Sequence, residues 1–160
     1  AGYYFTFFFF SRIRRPPSST LFPYTTLFRS RKYTGPTQSV YTVAFSPDGK
    51  SIAAAGVGLG GKRSIYLWAI ANPKPVKQID GHKGDIYRVR FHPTKANRLL
   101  AADYTGVIHI WDTGSAKSLF TTRLANPPIY SAAYSSDGKQ IVTGARDGEA
   151  NLIPVPANAQ

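Results

Sequence analysis

The 160-residue chain has no Cys, no Met, only 8 acidic residues, and no apolar run long enough to cross a membrane. Each shortage excludes something. Without Cys there is no disulfide framework, no thiolate metal site and no Cys nucleophile. The longest apolar stretch runs from Tyr3 to Phe10, where a spanning helix needs roughly 20 residues. Arg12, Arg14 and Arg15 follow that stretch, whereas a secretory signal places its positive charge first. No membrane association is expected, and the compartment is left open with the cytoplasm favoured. The scattered acids sit mostly in Asp-Gly or cap-like turns and form no carboxylate pair or Ser/His/Asp set, so no catalytic residue is expected. His82, His92 and His109 show no convergent metal-ligand spacing, so neither metal nor cofactor is expected. With Ala1 first and no Met, the expectation is a processed chain or a fragment.

What is present is unevenly distributed. Residues 1–30 hold 10 of the 22 aromatics, four Arg and no acid. Pro16, Pro17 and Pro23 interrupt any helical or strand period there. The composition predicts a disordered basic tail. The run IRRPPSSTLFPYTTLFRS, residues 13–30, also resembles one translated frame of a common sequencing adapter, IRRPPRSTLFPYTTLFRS. It matches at 17 of 18 positions, with Ser18 where that frame has Arg. Residues 1–30 are therefore expected to be non-native. Their proline-rich and Arg/Phe motifs are set aside as recognition or membrane-surface signals.

Residues 31–160 carry 16 basic and 8 acidic residues, a net charge of +8. They contain three repeats. VYTVAFSPDGKSIAAAG starts at Val40, IYRVRFHPTKANRLLAAD at Ile86 and IYSAAYSSDGKQIVTGARDG at Ile129, spaced 46 and 43 residues apart. Each opens with an aliphatic residue and a Tyr. A short strand is predicted first (Val40–Phe45, Ile86–Phe91, Ile129–Tyr134). A turn follows: Ser46-Pro47-Asp48-Gly49, the longer His92–Asn97 segment, and Ser135-Ser136-Asp137-Gly138. Pro presets one turn dihedral and Gly accepts the positive φ that closes a hairpin. A second apolar strand, a third carrying Trp68 or Trp111, and in two units a fourth complete the pattern. Four short strands per unit, with no helical period, indicate blades of antiparallel sheet.

Gly81-His82, Trp111-Asp112 and the Phe-Ser-Pro-Asp-Gly pattern resemble the WD-repeat β-propellers over about residues 33–156. The resemblance implies an all-β fold: a partial propeller of about three four-stranded blades, near 38–80, 81–124 and 125–156, behind a disordered N-terminal tail. It also implies a hydrogen-bond network within each blade, joining a His, a strand Ser/Thr, a turn Asp and the Trp. The second unit has His82 and Trp111 but Ala101 and Thr105 at the other two positions. The third has Thr143 and Asp147 but Ala125 and Ile153, and the first has Trp68 but Pro36. No unit carries the whole set. Three blades fall short of the 4–8 that close a ring. The expectation is thus a C-terminal fragment that needs missing N-terminal blades or self-association to cover its open faces.

Gly56-Val57-Gly58-Leu59-Gly60-Gly61-Lys62 fits a phosphate-cradling loop, but Arg63 stands where Ser or Thr should bind magnesium. A strand follows where a helix should. The stretch is taken as a glycine-rich connection. Arg88, Arg90, Lys95 and Arg98 cluster in the second unit and raise nucleic acid as a partner. A solvated or blade-packing face is the favoured reading. The expected role is a non-catalytic scaffold for protein partners. The alternatives are a nucleic-acid-associated propeller, or a propeller appended to an enzyme upstream. The resemblance places the partner-binding face on the loops entering the first strands and on those between second and third strands. Its residues here are Thr37, Ser39, Lys83, Asp85, Tyr104, Asn126 and Arg146.

Overall fold

The computed structural model describes residues 5–7, 31–35, 39–57, 63–124 and 127–160. Every regular element among them is a strand. Strands β1 (Phe5–Phe7) and β2 (Arg31–Tyr33) pair antiparallel as a separate ribbon. Strands β3 (Val40–Phe45), β4 (Ser51–Gly56), β5 (Arg63–Ala69) and β6 (Lys77–His82) form one sheet in chain order. A second four-stranded sheet comprises β7 (Ile86–Phe91), β8 (Arg98–Asp103), β9 (Val107–Asp112) and β10 (Lys117–Arg123). A third sheet holds β11 (Ile129–Tyr134), β12 (Gln140–Ala145) and β13 (Ala150–Pro154). All ladders are antiparallel. The tail expected to be disordered lies outside the described residues except at β1, which finds a ladder partner in β2. The phosphate-loop candidate is described only at Gly56, Val57 and Arg63, where Gly56 ends β4 and Arg63 opens β5.

The three sheets stack with their first strands inward, so that β7 contacts β3 on one side and β11 on the other. The second strands β4 and β8 read as nearly unbroken apolar runs because both of their faces are covered, as period-2 alternation requires. In β8, Leu99 and Ala101 pack with Ile65, Leu67, Ile79 and Val89 against the first sheet. Leu100 and Ala102 pack with Ile108, Ile110, Ile129 and Ile141 against the third. The far side of the first sheet is closed by Tyr33 over Ile52, Ala54 and Trp68. On the third sheet Val142 and Leu152 are register partners and stay 44% and 62% exposed. This is an open apolar blade face, as the repeat count predicted.

The turn chemistry acts as the sequence indicated. Asp48 Oδ1 accepts from Ser46 Oγ at 2.5 Å and from Lys50 N at 3.0 Å. Ser135 Oγ and Lys139 N repeat this on Asp137 at 2.6 and 3.0 Å. These hydrogen bonds hold both carboxyls below their usual range. Gly138 takes φ +74°, and a Cβ there would collide with the His92 ring.

Candidate functional site

A buried network ties the second sheet to the loop entering it. His82 ends β6 yet turns toward β8 and β9. Its Nδ1 lies 3.1 Å from Asp103 Oδ2, and its Nε2 accepts from Trp111 Nε1 at 3.2 Å. Asp103 Oδ1 accepts from Thr105 N, Thr105 Oγ1 and Val107 N at 2.9, 2.7 and 3.1 Å. Burial pushes the Asp103 carboxyl up, but the hydrogen bonds from His82, Thr105 and Val107 outweigh it and hold it at about 2. Gly81 has φ +128° and the Trp111 ring beneath it, so only glycine fits before His82. The expectation that Thr105 occupies the Asp position of this network is corrected. Asp103, at the first position of a turn closed by Gly106 N to Asp103 O at 3.1 Å, supplies the carboxylate, and Thr105 donates to it. The signal was present as Asp103-x-x-Gly106, the Asp-first, Gly-last form of a type I turn.

The other structural positions behave differently. Asp112 lies outside the network. It pairs with Arg98 at 2.5 Å and accepts from Ser115 N at 2.7 Å. Trp68 Nε1 donates to Thr34 O at 3.1 Å, so a backbone carbonyl does the work that a His does for Trp111. Thr143 is buried and donates to Asn151 O at 3.4 Å. Asp147 is exposed and accepts from Glu149 N at 2.9 Å. Those two do not meet. Two of the three histidines come together at this network. His109 sits 4.6 Å from the His82 ring and stacks on Trp111 at 4.9 Å. Burial, then the neighbouring His82, hold it down at about 4, so it is neutral at physiological pH. The strand period alone could not reveal this, because β6 and β9 belong to different sheets.

Of the seven candidate face residues, Thr37 and Asn126 lie outside the described residues. Ser39 is exposed and its carbonyl accepts from Val57 N at 3.1 Å. Asp85 pairs with Arg63 at 3.0 Å, and its carbonyl accepts from Tyr104 N at 2.8 Å. Lys83, Tyr104 and Arg146 are exposed, and Arg146 N donates to Pro128 O at 3.1 Å.

The main addition is a row of tyrosines. The ladder of each first strand skips one residue: between Val40 and Thr42, between Ile86 and Arg88, and between Ile129 and Ser131. The skipped residue is Tyr41, Tyr87 or Tyr130, the Tyr that opens each repeat. A bulge of this kind re-aims a side chain. Here three bulges send three phenols to one place. Tyr41 and Tyr130 lie 5.2 and 5.9 Å from the central Tyr87, and Tyr104 from the β8–β9 turn joins at 5.9 Å. Tyr41, Tyr104 and Tyr130 stay 47–49% exposed, far more than large side chains in a packed interior.

Three of the four cations in the basic cluster of the second unit are engaged within the protein. Arg98 pairs with Asp112, Lys95 Nζ donates to Gln160 O at 2.8 Å, and Arg90 donates to Val43 O at 3.4 Å. These are packing roles between and within sheets. No helix among the described residues is long and apolar enough to cross a membrane.

Comparison with known proteins agrees with the geometry. Coronin-7 of Rattus norvegicus is 35% identical over 78 residues, 49% of this chain and 8% of that protein. The periodic tryptophan protein 2 homolog of Schizosaccharomyces pombe is 22% identical over 131 residues, 81% of this chain and 15% of its own length. THO complex subunit 3 of Arabidopsis thaliana is 24% identical over 140 residues, 85% of this chain and 42% of its own length. The chain thus spans less than half of each of these relatives. The pattern of the family described as "WD domain, G-beta repeat" matches residues 28–69, 73–112 and 117–153. With three tandem matches, blade-like sheets and the His82–Trp111 network, the chain belongs to the WD-repeat family.

Proposed function

We propose that the chain is a non-catalytic scaffold that holds protein partners on the face bearing Tyr41, Tyr87, Tyr104 and Tyr130. The observation that carries this reading is the set of three equivalent β-bulges. Each interrupts a ladder at the same repeat position and turns a Tyr outward. Exposed aromatic side chains in a group supply large contact area at low entropy cost and are enriched at protein interfaces. The candidate residues Ser39, Lys83, Asp85 and Arg146 are assigned to the polar rim of this row. Thr37 and Asn126 are proposed rim residues on the loops entering β3 and β11.

The test compares the chain with its Tyr41→Ser/Tyr104→Ser/Tyr130→Ser variant in affinity capture, followed by reconstitution with each purified candidate partner. The expected result is direct protein partners that bind the chain and lose it with the triple variant, while both unfold at the same temperature. Partners retained by the triple variant would overturn the assignment of this face. A capture dominated by RNA and abolished by nuclease would favour the nucleic-acid reading instead.

A further inference from the structure

Beside the tyrosine row lies a cavity of about 330 Å³. Tyr104 and Thr105 are consecutive in the β8–β9 turn. The first reaches Tyr87 and the second lines this cavity with His109 and Thr121. Lys83 and Arg123 also line it, and both are exposed. None of the ion pairs among the described residues involves either cation. Two unpaired cations on a concave wall focus positive potential where a ligand can enter. Asp103 is the one acid in the lining, and both of its oxygens are engaged, Oδ2 by His82 and Oδ1 by Thr105 and Val107. Thr121 Oγ1 lies 2.8 Å from His109 Nδ1 and 2.9 Å from Ser118 Oγ, which fixes the polar wall opposite the turn.

We infer that this cavity takes a carboxylate side chain from an acidic segment of a partner protein, held between Lys83 and Arg123, with the segment's neighbouring residues on the tyrosine row. The inference rests on the scaffold reading and names the chemistry of the partner. Charge counting selects a carboxylate. Two cations and one buried anion leave a net charge of +1, which a single carboxylate neutralises. A phosphate dianion would be left in excess beside Asp103. A nucleic-acid backbone needs a track of free cations, and Arg90, Lys95 and Arg98 are engaged within the protein.

The experiment uses the full chain and fluorescein-labelled hexaglutamate, with hexaglutamine as the neutral control, read by anisotropy at about 0.15 M salt. Hexaglutamate should bind and hexaglutamine should not. K83Q/R123Q should weaken hexaglutamate by about tenfold or more, the scale of losing charge-assisted hydrogen bonds. K50Q/K139Q removes the same charge from exposed positions in the β3–β4 and β11–β12 turns and should change binding by less than about twofold. Equal weakening by the two variants would reduce the effect to overall charge and overturn the proposal. So would absent hexaglutamate binding, or labelled oligouridylate binding that K83Q/R123Q abolishes. The scaffold reading is judged separately by the triple tyrosine variant. Loss of partners there, without hexaglutamate binding here, would overturn only the carboxylate assignment.

Discussion

His82 Nδ1 and Asp103 Oδ2 stand 3.1 Å apart with both side chains out of solvent. The contact joins the last strand of one sheet to the second strand of the next, and Trp111 extends it into the third strand. A buried pair of this kind adds little when intact but costs a great deal when one member is removed, because the other is left uncompensated. It therefore acts as a register pin between neighbouring sheets.

Removing either partner should be severe. His82→Ala or Asp103→Ala is expected to cost about 3–5 kcal/mol in urea unfolding. The double variant should cost less than the sum, with a coupling of about 1–3 kcal/mol. Additive single effects would mean that the two side chains act independently.

Acid should weaken the chain in two stages. His109 has its folded pKa lowered from 6.5 to about 4. The unfolded chain therefore takes up this proton first, and stability falls as pH drops from 6.5 toward 4. Asp103 is lowered from 3.8 to about 2. Its contribution is complete above pH 3.8 and is lost as pH falls toward 2, by about 2 kcal/mol. His109→Phe should shrink the upper stage, which His92 shares because burial lowers it too, and Asp103→Asn should shrink the lower, to which Asp48, Asp112 and Asp137 also contribute. Unfolding free energies measured from pH 7 to pH 2 give the two slopes directly.

Gly138→Ala tests the seam between the second and third sheets. The added methyl would meet the His92 ring, on a backbone at φ +74°. The expected loss is about 1–3 kcal/mol. Combining it with His92→Ala should recover the steric part and leave the backbone strain. A thermal-unfolding series on the four proteins of this cycle separates the two terms.

Much of the fold was legible in local pattern. The first strands fall where the repeats put them, at Val40–Phe45, Ile86–Phe91 and Ile129–Tyr134. The Ser-x-Asp turns close as their chemistry demands, because every group involved lies within five residues of its partner. Trp111 and His82 were identifiable because Gly81-His82 and Trp111-Asp112 are distinctive in themselves. The candidate face was less legible. Tyr41, Tyr87 and Tyr130 were visible as a repeated residue, but nothing in a period-2 pattern shows that each stands on a bulge.

What local sequence specifies here is hydrogen bonding and alternation over a few residues, hence strands, turns and blade count. Which groups meet across blades depends on sheet stacking. Tyr87 meets Tyr41 and Tyr130 over separations of more than forty residues, because β7 lies between β3 and β11. Asp103 rather than Thr105 takes His82 because the incoming loop places the imidazole over the first turn residue. Arg90 and Arg98 are spent inside the fold because a carbonyl and a carboxylate stand in reach. Those choices follow from packing geometry in three dimensions, to which composition and periodicity carry no reference.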